Sequence, residues 1–117
     1  MNNNDFTKRV SNLDYLQALA NGNEQFIKEM ISIFLVEMPQ EIKSLEESIR
    51  KKSFEKIKLA AHKLRSTLPF VGLDKVIEKE VIEIEKMAAE KTDVKEIEPL
   101  FDTVKKACEK AAEELKE

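Results

Sequence analysis

The chain has 117 residues, with 20 Lys and Arg against 23 Asp and Glu for a formal net charge of −3. This length fits a single domain, because domains cluster near ~100–150 residues, and interspersed charge of both signs excludes the basic face that non-specific nucleic-acid binding needs. Its 2 Gly and 3 Pro are about 4% of the chain against a usual ~12%, too few turn residues for a β-sandwich or barrel.

The lone cysteine, Cys108, excludes an internal disulfide or a zinc cluster and suits a reducing compartment. The lone histidine, His62, excludes a His-rich metal site, and neither metal nor cofactor is expected. No apolar run nears the ~20 residues of a membrane helix, the longest being Ile33 to Val36. Met1 to Asp5 carries neither the basic nor the apolar block of a signal peptide, so a cytoplasmic location is expected. Hydrophobic residues at 42% suffice for a core, and abundant Glu, Lys, Ala, Leu and Ile favour helices.

Residues 1–10 are polar and unpatterned and read as a loose N-terminal arm, with Phe6 and Val10 able to dock. Ser11 and Asn12 can cap a short helix carrying Leu13, Leu16, Leu19 and Ala20. Asn21-Gly22-Asn23 stops it, because Gly and Asn tolerate the left-handed conformation, and Asn23 can cap the next helix. That second helix carries Phe26, Ile27, Met30, Ile33, Phe34 and Met38, then Ile42, Leu45 and Ile49. The spacing persists across Pro39, which favours one kinked helix over two helices meeting near Met38.

A third helix, over about 53–68 with Ser53 as its cap, carries Phe54, Ile57, Ala61, Leu64 and Leu68 on one stripe. Pro69 should hold Leu68 out of helical geometry, and Gly72 provides a stop. A fourth helix carries Leu73, Val76, Ile77, Val81, Ile84, Met87 and Ala88, and Lys91-Thr92-Asp93 interrupts the pattern. Asp93 with Glu96 resembles a capping box. A fifth helix, with Pro99 near its start, carries Val94, Ile97, Leu100, Phe101, Val104, Cys108, Ala111, Ala112 and Leu115. Cys108 therefore reads as a core residue, and pairs such as Glu46 and Arg50 read as ordinary solvated faces. These elements predict an all-α fold over residues 11–117, an antiparallel four-helix bundle with a short extra N-terminal helix.

On a helical wheel at ~100° per residue, His62 falls roughly 130° from the centre of the third helix's apolar stripe and should face solvent. Its neighbours one turn away are Lys58, Leu59, Arg65 and Ser66, and Glu55 is the only acid near that line. Neighbouring cations favour a neutral imidazole, which is a good nucleophile near neutral pH, and would stabilise a phosphoryl group placed on it. Ser66 is small and keeps approach to the ring open, while Leu59, Pro69 and Phe70 suggest a contact patch beside it.

The segment Ala61-His62-Lys63-Leu64-Arg65-Ser66-Thr67, followed by Gly72, resembles the signature of histidine phosphotransfer (HPt) domains, Ala-His-x-Leu-Lys-Gly-Ser with a Gly ten residues after the His. The resemblance extends to a preceding short helix, a Gly-Asn turn and a Phe-Ile-x-Glu-Met to Phe-Leu-x-x-x-Pro run, and covers nearly the whole chain after residue 10. It implies a four-helix bundle in which His62 accepts phosphate from the aspartate of one receiver domain and passes it to another. Taken with the wheel, it leaves phosphoryl stabilisation to Lys58 and Arg65 and receiver docking to Leu59, Lys63, Ser66, Pro69 and Phe70, with Gly72 as the motif glycine. The implied partners are response-regulator receiver domains and a hybrid sensor kinase, with no nucleic acid or membrane. Arg65 and Ser66 stand where the family has Lys and Gly. No nucleotide-binding pattern surrounds Gly22 or Gly72, so a phosphocarrier without its own ATP site is expected rather than an enzyme. The competing reading is a passive helical adaptor that binds signalling partners without phosphotransfer. A small enzyme using His62 as acid or base is weakest, since an exposed helix face offers no pocket.

Overall fold

The computed structural model describes residues 6–116, so Met1 to Asp5 of the expected arm, and Glu117, lie outside the described residues. Among the described residues the protein is all-helical, without strands. The elements are α1 (Asp14–Ala20), α2 (Glu24–Arg50), α3 (Phe54–Thr67), a 3-10 turn (Leu68–Val71), α4 (Asp74–Ala89) and α5 (Val94–Leu115). Each boundary has a local cause. Asn21 and Gly22 take positive φ after α1, and Asn23 caps α2 by accepting from the Phe26 N–H at 3.0 Å. α2 runs unbroken through Pro39. Asp93 caps α5 by accepting from the Lys95 N–H at 2.9 Å, one residue short of the bond a capping box with Glu96 would use.

Leu68 departs from expectation. It stays helical, with φ −55° and ψ −42°, and the chain tightens into the 3-10 turn. Pro69 lies in the first turn of that element, where a missing N–H costs nothing, so the proline continues the rod instead of breaking it. Gly72 then ends the turn at φ +76°, and its N–H reaches Pro69 O at 3.2 Å.

α2 packs on α3 and α5, and α4 packs on the same two helices, so the four long helices close a ring of contacts. The ring encloses one core that includes Phe34, Leu45, Ile57, Leu64, Ile77, Ile84, Ile97 and Val104. Several residues of the expected stripes lie outside it, and two of them are exposed. Leu19 is 49% and Ile33 is 48% exposed. α2 is ~40 Å long against ~21 Å for α3, so its N-terminal part overhangs and is covered on one side only. α1 has seven residues and buries only Leu16 and Ala20. The solvated Glu46 and Arg50 do not pair with each other. Glu46 meets Lys105 of α5 at 3.1 Å, and Arg50 meets Glu47 at 3.9 Å.

A clasp joins the start of the described chain to its end. Glu114, on α5, accepts from the Ser11 hydroxyl at 2.6 Å, the Ser11 N–H at 2.9 Å and the Val10 N–H at 3.0 Å. The next residue, Asn12, donates its N–H to Val71 O at 2.7 Å and so lies directly over Gly72. A Cβ on Gly72 would stand 2.5 Å from Asn12 Cβ and 2.7 Å from its carbonyl oxygen. Rigid backbone makes that contact, and the left-handed conformation disfavours a side chain independently. A second interhelix tie is Thr67 of α3, which donates to the buried Glu41 of α2 at 3.0 Å. Burial pushes the Glu41 carboxyl above its ordinary range, opposed by the Thr67 hydrogen bond and Lys63 and assisted by Glu37.

Two outcomes follow from the clasp. Gly72→Ala is expected to cost about 2 kcal/mol or more in chemical denaturation, and to speed hydrogen exchange at the Asn12 amide. Burial alone raises the Glu114 pKa, but the hydrogen bonds from Ser11 and Val10 and the Arg9 charge together carry it below the ordinary carboxylate range. A depressed folded-state pKa contributes stability that is complete above the ordinary carboxylate pKa and is lost as pH falls through the folded value. Glu114→Gln should therefore cost about 2 kcal/mol near neutral pH, with the difference from the parent shrinking in acid-titrated melts.

Candidate functional site

The rotation of α3 is set by its buried stripe of Ile57, Ala61 and Leu64. His62 follows Ala61 directly and is turned outward, with 63% of its side chain exposed. The neighbouring helix α4 buries Ile77, Val81, Ile84 and Ala88. Glu85 follows Ile84 and so lies on the flank of the seam between α4 and α3. Its carboxylate is 22% exposed and reaches across. Oε1 stands 3.1 Å from His62 Nδ1, and Oε2 stands 3.2 Å from Arg65 Nη1.

A carboxylate accepts hydrogen bonds and does not donate them, so His62 Nδ1 must carry the proton. The lone pair of the neutral ring is then on Nε2. The imidazole is thus exposed and oriented, and in its neutral form Nε2 is the nitrogen left as acceptor. The Arg65–Glu85 pair is partly exposed and contributes at most about 1 kcal/mol to stability, so its consequence is orientation.

The remaining expected site residues distribute as follows. Lys58 is half-buried, and its ammonium pairs with Glu55 one turn earlier at 3.8 Å. Leu59 is 60% exposed. Lys63 is exposed, and its carbonyl accepts from the Ser66 hydroxyl at 2.6 Å, which draws that hydroxyl back onto the helix. Pro69 and Phe70 are half-buried in the 3-10 turn. Phe70 meets exposed Tyr15 of α1 edge to face, with ring centroids 5.9 Å apart. Gly72 is buried beneath Asn12 and serves the backbone.

The acid that meets His62 is Glu85 of α4, while Glu55 of its own helix pairs with Lys58. A wheel of one helix shows only that helix's neighbours. The available signal was the stripe Val81, Ile84, Ala88, which puts Glu85 at the edge of whatever α4 packs against. Which residue of α3 it meets depends on the register between the two helices. Among the described residues no group of three or more His, Cys, Asp or Glu could hold a metal ion, and no helix is long and apolar enough to cross a membrane.

The profile of the Hpt domain matches residues 29–116, from the second turn of α2 to the end of α5. The chain belongs to the Hpt domain family. Hpt domains are helical bundles that carry out histidine phosphotransfer in two-component signalling, where they interact with receiver domains and kinases. They are phosphocarriers and not catalysts with an ATP site of their own. No curated protein and no solved structure matches the chain.

The lone cysteine of this Hpt domain lies in the core. Cys108 is fully buried on α5, and burial pushes its thiol up to about 12, with the charges of Glu41 and Glu109 adding to the effect. It is expected to resist Ellman's reagent in the folded protein near neutral pH and to react stoichiometrically in guanidinium.

Proposed function

We propose that this Hpt domain is a phosphorelay intermediate, accepting a phosphoryl group on His62 from a receiver-domain aspartate and passing it to a second receiver. A hybrid sensor kinase would feed the first receiver, and the whole relay would operate in the cytoplasm. The observation that carries the reading is the outward His62 imidazole, with Arg65 one turn away, in a chain whose family transfers phosphoryl groups through histidine. In the step itself the imidazole lone pair attacks phosphorus. The P–O bond of the aspartyl phosphate breaks, an N–P bond forms, and the aspartate leaves as a carboxylate. Arg65 and Lys58 offset the phosphoryl charge. The surface pair of Lys58 with Glu55 is long and exposed, so it offers little resistance to release of the ammonium.

Receiver docking falls to Leu59, Lys63, Ser66, Pro69 and Phe70. An exposed leucine one turn before the histidine and a half-exposed aromatic two turns after it give an apolar patch that a transient partner can cover. The scaffold, on this reading, is the domain over residues 11–117, an antiparallel bundle of α2 to α5 with α1 against one end. The closed ring of contacts among the four long helices and the short turns between them support it.

The test is incubation with a phosphorylated receiver domain and Mg²⁺, the metal belonging to the receiver. Acid-labile, base-stable label should appear on the parent and be absent from His62→Gln. Label persisting in that variant would overturn the assignment of His62, and receiver binding without label would favour a passive adaptor. Arg65→Ala should slow transfer about tenfold or more while moving Tm by less than about 5 °C, since only a partly exposed pair is lost.

A further inference from the structure

Phe70, the aromatic of the docking patch, does not stand alone. Its ring meets Tyr15 of α1 edge to face. Tyr15 is 51% and Leu19 49% exposed, one turn apart on the same side of α1, so the apolar patch continues from Phe70 onto that helix. α1 cannot keep this side in place by itself. It has seven residues against the ~12–15 that an isolated helix needs in water, and it buries only Leu16 and Ala20. Its packing partners are α2 and the 3-10 turn.

The residues that lead into α1 are held from α5. Glu114 accepts from the Val10 N–H, the Ser11 N–H and the Ser11 hydroxyl, and its side chain is only 11% exposed. Two cations face the carboxylate, Arg9 of the incoming segment at 3.9 Å and Lys110 of its own helix at 3.7 Å. Asn12 follows. It donates its N–H to Val71 O, and its side chain accepts from the Asp14 N–H at 2.8 Å, which starts α1. An unbroken run of contacts thus joins Glu114 to Tyr15. A carboxylate that answers three donors of two consecutive residues fixes where that segment enters the bundle, which neutralising a charge would not require.

We propose that Glu114 is a positioning residue for receiver docking: by fixing Val10 and Ser11 it sets where α1 starts, and so holds Tyr15 against Phe70 as part of the surface a receiver covers. This rests on the reading of the protein as a relay intermediate. Glu114 makes and breaks no bond in the transfer, and His62 is not among the groups it touches. Loss of its hold weakens the complex with a receiver and leaves the reactivity of the imidazole as it was. The chemistry belongs to α3 and α4, and the affinity is shared with α1.

Three readings test this. Tyr15 is the only tyrosine of the chain, so 3-fluorotyrosine gives a single ¹⁹F resonance that reports its placement. The second reading is the affinity for a receiver domain that labels the parent protein. The third is the rate at which potassium phosphoramidate, a small donor that needs no docking surface, labels His62: the imidazole lone pair attacks phosphorus, the P–N bond breaks and ammonia leaves. Glu114→Ala should move the ¹⁹F resonance toward that of free 3-fluorotyrosine and weaken receiver binding about tenfold, as for loss of an aromatic anchor, with the phosphoramidate rate within about twofold of the parent. Tyr15→Ser should weaken binding by a similar factor and add little in Glu114→Ala, because both act through one contact. Ser11→Ala removes one donor of the three and serves if Glu114→Ala fails to fold; it should move the resonance and the affinity part of the way. A clasp that is only structural would lower Tm and leave the resonance and the affinity at parent values below the transition, and that result overturns the proposal. Fully multiplicative effects of Tyr15→Ser and Glu114→Ala overturn it as well. The ¹⁹F reading needs no receiver, so if it moves as expected while no receiver labels the parent, the relay reading fails and the placement of Tyr15 by Glu114 stands.

Discussion

Burial of Ile57, Ala61 and Leu64 fixes how α3 is rotated, and that rotation determines what the outward side of the helix can offer. A side chain cannot leave the core stripe without exposing apolar area worth about 1.5–3 kcal/mol per large residue. His62 is therefore held outward by residues that never touch it. The same stripe brings α3 against α4, and the seam between them carries Glu85. Core packing thus acts on the site twice, by pointing the imidazole at solvent and by supplying the carboxylate that selects one ring nitrogen. Neither effect requires a pocket, which suits the transfer between folded proteins proposed for His62.

The parts of the protein legible in its sequence are those governed by local periodicity. The five helices, the left-handed stop at Asn21 and Gly22, the Asn23 cap and the outward placement of His62 all follow from residues within one or two turns of each other. What escaped local reading depended on distance or register. Leu19 and Ile33 have the right spacing for a core yet lie exposed, Leu19 on the short α1 and Ile33 on the half of α2 that reaches beyond α3. Glu85 sits 23 positions from His62, and no wheel drawn on either helix alone pairs them. Leu68 departs from local expectation for a different reason. The rule that a residue before proline avoids the helical region is a preference, and here the tight first turn of a 3-10 segment satisfies both residues.

The two departures from the family motif differ in physical character. Arg65 exchanges a point charge for a fork, one arm of which meets the Glu85 carboxylate. Ser66 adds a hydroxyl where the motif has none, but the hydroxyl is turned back onto the Lys63 carbonyl. That hydrogen bond satisfies the added donor within the helix, so the surface next to the ring gains bulk without gaining a free donor. The motif glycine is of a third kind. Gly72 lies under the backbone of Asn12, which gives this position a steric reason to exclude any side chain, far from any phosphoryl group in purpose.

The clasp of Val10 and Ser11 on Glu114 bears on how the molecule is assembled. The Val10 bond spans 104 positions of sequence, whereas the seam that aligns His62 with Glu85 spans 23. Loop-closure entropy grows with that separation, and the clasp also needs the last turns of α5 in place before it has anything to grip. Contacts of short range form first on these grounds, and the most distant ones form last and open most easily. The order this implies is a site completed early, from the middle of the chain, and ends fastened afterwards. Opening of the clasp would then free the N-terminal segment while leaving the imidazole and its carboxylate aligned.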